Sequence, residues 1–125
     1  MEGIHFIVIL AIAQYLYFGF QVGRARSQYD IKAPAVGGHE MFDRALRIQQ
    51  NTMEVLVAFI PALYVAAAYW PHWLVVIIGT VYLVGRMIYR HNYLIAPDSR
   101  ATGFLLSIVP VFLLLLLGLL GVIFG

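Results

Sequence analysis

Two short stretches carry side chains able to do chemistry in an otherwise apolar chain. In FDRALRIQQNTMEV, Phe42 to Val55, the residues Arg44, Arg47, Asn51 and Glu54 recur every three or four positions. On a helix they share a face about 80° wide, while Gln49 and Gln50 point elsewhere. In VYLVGRMIYRHNY, Val81 to Tyr93, the residues Tyr82, Arg86, Tyr89 and Tyr93 fall on one narrow helical face. Guanidinium groups grip carboxylates and phosphates in bidentate fashion. Glu54 suits an ammonium group, and the tyrosines offer hydroxyls and ring faces. Together these groups fit a zwitterionic peptide with several carboxylates better than a nucleotide, because no glycine-rich phosphate loop is present. The apolar surroundings would admit a second, lipophilic molecule from a bilayer. His5, His39, His72 and His91 are too scattered for a metal site, and without cysteine there is no disulfide, thiolate metal site or cysteine nucleophile.

The elements that must position these residues are helices of a membrane protein. Of 125 residues, 62% are hydrophobic and 11% charged, against about a quarter charged in a soluble domain. Four apolar segments stand out: Ile4 to Val22, Val55 to Tyr69, Trp73 to Gly85 and Phe104 to Phe124. A span needs about 20 mostly apolar residues. The first and last segments reach that length alone, and the middle two reach it only by taking in their polar neighbours. The expected fold is an all-α integral membrane protein, a four-transmembrane-helix bundle forming one domain over residues 1–125. Its helices are expected near residues 4–26, 41–69, 72–94 and 100–124. Pro34 with Gly37-Gly38, Pro71, and Pro97-Asp98-Ser99 punctuate the connections. The first segment has no basic leader and no small-residue cleavage site, so it reads as a retained helix.

All eight Lys and Arg residues cluster around the first and third connections. With four spans those connections lie on one side, which the positive-inside rule makes cytoplasmic, leaving both termini opposite. Tyr69, Trp70 and Trp73 form an aromatic belt at the far interface. The net charge of +2 is too small, and too bound to helix ends, for a nucleic-acid protein. A charge at the bilayer centre costs about 2.5 kcal/mol or more, so these faces should turn toward protein or a wet cavity. Arg44 and Arg47 as headgroup anchors, and Glu54 as a partner of Arg47 or Arg86 that only ties helices together, form the plainer alternative. Anchors, however, need no shared face.

The order Arg47, Gln49, Asn51, Glu54, then Arg86, Tyr89, Tyr93, then Arg100 seven residues further on resembles the signature of the MAPEG superfamily. These are the membrane-associated proteins in eicosanoid and glutathione metabolism. The similarity runs from Arg24 to about Gly103, and the four-helix layout carries it across the chain. The resemblance implies a homotrimer with glutathione as co-substrate, bound between neighbouring subunits near the cytoplasmic side. It assigns glutathione binding to Arg26, Arg47, Gln49, Asn51, Glu54, Arg86, Tyr89 and Tyr93. It assigns the catalytic role, stabilising the thiolate, to Arg100.

Departures from the family pattern narrow the reading. Val55 stands where the leukotriene-forming synthase has a tyrosine, and Ser27 where that enzyme has a second arginine. Ala101 follows Arg100 where the prostaglandin E synthase branch has serine, which weighs against a specialised prostaglandin isomerase. The run APDSRATG looks more like the general microsomal glutathione transferases and their bacterial relatives. The expected function is a membrane glutathione transferase acting on lipophilic electrophiles, with lipid peroxide reduction or isomerisation as a companion activity. A bacterial inner membrane is favoured over the endoplasmic reticulum. Two other readings remain: a non-catalytic lipid-presenting protein like the lipoxygenase-activating branch, and a purely structural membrane protein. Retention of Arg47, Glu54, Arg86 and Arg100 together favours the enzyme.

Overall fold

A computed structural model describes all residues, 1–125. Four helices follow one another: α1 (Glu2–Tyr29), α2 (Glu40–Tyr69), α3 (His72–Ile95) and α4 (Ala101–Phe124), with a 3₁₀ turn at Pro97–Ser99 leading into α4. All four are long and apolar enough to cross a membrane. Such helices satisfy every backbone group internally, which a lipid environment demands.

α1 runs a turn beyond Arg26. The Arg26 carbonyl accepts from the Ile31 N–H at 2.9 Å, and Asp30 closes the helix in the left-handed conformation at φ 54°. The connection packs back on the bundle, with Ile31 buried against Val22, Ala25 and Phe42. His39 caps α2 by accepting from the Met41 N–H through Nδ1 at 3.1 Å. Glu40 and Asp43 in the first turn suit the positive end of the helix dipole. Trp70 ends α2 by donating its indole N–H to the Leu117 carbonyl at 2.7 Å, so this residue of the expected belt also ties the α2–α3 turn to α4.

The core sits in the apolar half of the bundle: Ile4 and Ile7 of α1, Phe59 and Leu63 of α2, Tyr82 of α3 and Leu114 of α4 all meet there. The Phe59 and Tyr82 rings stack with centroids 3.8 Å apart. Lipid tails are as apolar as leucine, so close packing of small residues has to hold such helices together. α3 and α4 show this most clearly. A Cβ on Gly85 would stand 2.6 Å from the Leu106 carbonyl carbon, and one on Gly103 would run into the Tyr89 backbone. The two glycines bring α4 against the polar stretch of α3.

Candidate functional site

Arg86 is the largest fully buried side chain in the protein. Its burial is tolerated because three neutral oxygens receive it. Asn51 Oδ1 accepts at 2.7 Å, Ser107 Oγ at 2.7 Å and Thr52 Oγ1 at 3.3 Å. The Tyr89 ring lies 4.3 Å from the guanidinium carbon. Each hydroxyl passes its own proton to a helix carbonyl one turn back: Thr52 donates to Ile48 at 2.7 Å and Ser107 to Gly103 at 3.0 Å. The hydroxyl lone pairs therefore face the guanidinium, and α2, α3 and α4 are pinned together at this one group. No carboxylate pairs with it; the structure's one ion pair joins Arg44 and Glu40.

In front of Arg86 lies a cavity of about 790 Å³ between the polar ends of α2, α3 and α4. Arg47 and Asn51 enter it from α2, Tyr89 and Tyr93 from α3, and Arg100 from the start of α4. Because Arg86 occupies the Asn51 carbonyl, the Asn51 amide N–H groups are left for the cavity. The Tyr89 and Tyr93 rings meet at 5.6 Å, tilted by 51°. Arg100 is exposed; its Nη1 donates to the Pro97 carbonyl at 2.7 Å, and its guanidinium carbon lies 5.8 Å from the Tyr93 ring centre. Two guanidinium groups, an amide and the positive end of α4 give the wall an affinity for anions. Asp98 supplies a single carboxylate on the same wall.

The structure thus brings together Arg47, Asn51, Tyr89, Tyr93 and Arg100, with Arg86 behind Asn51. Within one chain it does not bring in Arg26, Gln49 or Glu54. Arg26 donates to the Ala35 carbonyl at 2.8 Å and lies 4.9 Å over the Phe42 ring. Gln49 extends from α2 against α1, where a Cβ on Gly19 would meet its Nε2 at 2.8 Å. Glu54 is exposed on the outer face of α2, without an ion-pair partner. Tyr82, which shares the Arg86 face, belongs to the apolar core. Arg44 is tied to Glu40 and to the Leu94 carbonyl at 2.8 Å.

Thr52, Ser107 and Asp98 are the participants that the sequence reading passed over. Ser107 had a visible signal, as the one hydroxyl within the apolar run of α4. Thr52 sits one residue off the polar face, and Asp98 reads as an ordinary turn residue.

Comparison with known proteins gives a consistent picture. A model of the MAPEG family matches residues 4–120. The chain is 41% identical to human microsomal glutathione S-transferase 2 over 116 residues, covering 93% of this chain and 79% of that protein. It is 38% identical to an uncharacterized protein of Synechocystis over 117 residues, 94% of this chain and 85% of that one. Leukotriene C4 synthase of Cavia porcellus is 31% identical over 117 residues, 94% of this chain and 78% of that enzyme. With the family matched across nearly the whole length and four helices able to span a membrane, the chain belongs to the MAPEG family.

Proposed function

We propose that this protein is a membrane glutathione transferase that binds glutathione in the cavity before Arg86 and activates its sulfur beside Arg100. The observation that carries this reading is the convergence of Arg47, Asn51, Tyr89, Tyr93 and Arg100 on one cavity. It occurs in a chain 41% identical to a microsomal glutathione S-transferase. Arg47 and the Asn51 amide receive the peptide's carboxylates, Asp98 or Glu54 its ammonium, and the tyrosine rings its backbone. A free thiol of pKa about 8.5 is only a few per cent ionised near neutrality. The Arg100 guanidinium lowers that pKa by stabilising the thiolate, and the proton leaves to solvent. Arg100 contributes its charge and takes no part in the proton transfer. The thiolate then bonds to an electrophilic carbon of a lipophilic substrate, displacing its leaving group or adding to an activated double bond. Attack on a lipid hydroperoxide would instead form an S–O bond as the O–O bond breaks, giving the lipid alcohol and glutathione sulfenic acid, which a second glutathione converts to the disulfide and water.

Three residues outside the single-chain cavity support a homotrimeric arrangement. Glu54 is a bare carboxylate on the surface of a span, where a charge facing lipid is disfavoured. Arg26 and Gln49 occupy the α1–α2 side instead. In a ring of identical subunits one face meets a different face of the next. The Glu54 side of one subunit would therefore be closed by Arg26 and Gln49 of its neighbour.

Thiolate absorbance in the ultraviolet tests the reading. Adding glutathione to detergent-purified protein should produce the thiolate band, and Arg100→Ala should abolish it. A wild-type protein that binds glutathione without the band would instead favour the lipid-presenting alternative. We place the first and third connections in the cytoplasm of a bacterial cell, on the strength of their arginines. Because the chain lacks cysteine, Ser27→Cys and Gly125→Cys can be probed singly with an impermeant maleimide. Labelling of position 27 from outside intact spheroplasts would reverse the orientation.

A further inference from the structure

Away from that cavity, the same polar end of the bundle holds a second cationic hollow, between α1, α2 and α3. Its volume is about 170 Å³, and Arg24, Gln21 and Gln28 of α1 face Arg90 of α3 across it. Neither Arg24 nor Arg90 has a carboxylate partner. The nearby Arg44 already holds Glu40, so the hollow carries uncompensated positive charge. Arg90 is held in place by aromatic rings, its guanidinium carbon 5.5 Å from the Tyr17 ring centre and 5.9 Å from that of Phe18.

Tyr17 also lines an apolar groove of about 420 Å³ that descends between α1 and α3. Leu10, Ala13 and Gln14 form one wall with it, and Leu83, Val84 and Met87 form the other; the one polar side chain, Gln14, is turned into the wall, donating its amide N–H to the Leu83 carbonyl at 2.9 Å. From Leu10 to Tyr17 the groove follows α1 for about 10 Å along the span. Arg90 thus joins an anion-attracting hollow at the membrane edge to an apolar channel directed into the hydrocarbon. A soluble anion would use only the hollow, and a neutral lipid only the groove.

We propose that this seam binds one anionic phospholipid, its phosphate between Arg24 and Arg90 and an acyl chain along the α1–α3 groove. Basic pockets between spans at the cytoplasmic face suit such headgroups, and guanidinium pairs grip phosphate in bidentate fashion. The site shares no residue with the Arg100 cavity, so it stands or falls independently of glutathione chemistry.

Native mass spectrometry of the detergent-purified protein, titrated with dioleoylphosphatidylglycerol or dioleoylphosphatidylcholine, tests the proposal. The anionic lipid should be retained about tenfold or more over the zwitterionic one. The double variant Arg24→Gln/Arg90→Gln should bring the two lipids to parity. Ala13→Phe, which fills the groove and leaves both arginines, should also weaken phosphatidylglycerol binding. Excess inorganic phosphate should not displace the lipid. Equal retention of the two lipids by the wild type, which needs no variant to fold, would overturn the proposal. So would displacement by inorganic phosphate with Ala13→Phe unaffected, which would make the hollow a site for soluble phosphate.

Discussion

Arg86 donates to Asn51 Oδ1 across 2.7 Å, a bond that joins α3 to α2 and settles which way the Asn51 amide turns. The carbonyl faces the buried guanidinium, which leaves the amide N–H groups as the donors that Asn51 can offer to the cavity it lines. Asn51→Asp keeps the shape and gives Arg86 a charged acceptor, so the thermal midpoint in detergent should hold or rise. The cavity, however, loses a donor and gains a negative charge. Glutathione affinity should fall at least about tenfold, near 1.4 kcal/mol. Unchanged affinity measured by titration calorimetry would remove Asn51 from the binding surface.

Ser107 is the α4 partner of the same guanidinium, accepting at 2.7 Å. Ser107→Ala leaves an Arg86 N–H without its acceptor in a fully buried setting. Losing one partner of a buried pair costs about 1–3 kcal/mol. The variant should melt earlier than wild type, and Ser107→Thr should recover part of the loss by restoring the hydroxyl. Equal melting of Ser107→Ala and wild type would mean that Arg86 finds another acceptor.

The close approach of α3 to α4 rests on glycine. At Gly103 an added methyl would strike the Tyr89 backbone, which cannot swing aside as a flexible side chain would. Gly103→Ala should therefore cost about 1–3 kcal/mol or more of overpacking and displace Tyr89 from the cavity wall. Gly23, also on a helix, has nothing within 4 Å of such a methyl, so Gly23→Ala should be neutral or slightly stabilising. Thermal melts of the two variants side by side would show whether the helix contact, rather than glycine as such, matters.

The proposed sharing of the site between subunits of a trimer makes a quantitative forecast. Arg26→Ala and Arg100→Ala should each reduce glutathione conjugation when present alone. Co-expressed in equal amounts, they would mix in trimers. About a quarter of the interfaces would then pair an intact Arg26 from one subunit with an intact Arg100 from the next. Activity should recover toward that fraction of wild type. No recovery, with mixed oligomers demonstrated by two affinity tags, would mean that Arg26 does not complete the neighbouring subunit's site.

What could be read without coordinates is what depends on neighbours along the chain. Hydrophobic run length marks the four helices, and the 3.6-residue repeat puts Arg86, Tyr89 and Tyr93 on one side of α3. The same repeat does not say how deep a side chain lies or what it meets. Only the packing of α3 on α4 through Gly85 and Gly103 shows that Arg86 is enclosed as a strut while Tyr93 borders the cavity. Thr52 and Ser107 acquire their role the same way: each looks like an ordinary helical hydroxyl until a guanidinium from another helix is brought to it. The outward position of Glu54 is likewise a tertiary result. Helical phase aligns it with Arg47, but the space its face meets is set by how the helices pack against one another. Local geometry is encoded residue by residue, whereas enclosure depends on contacts between residues far apart in the chain.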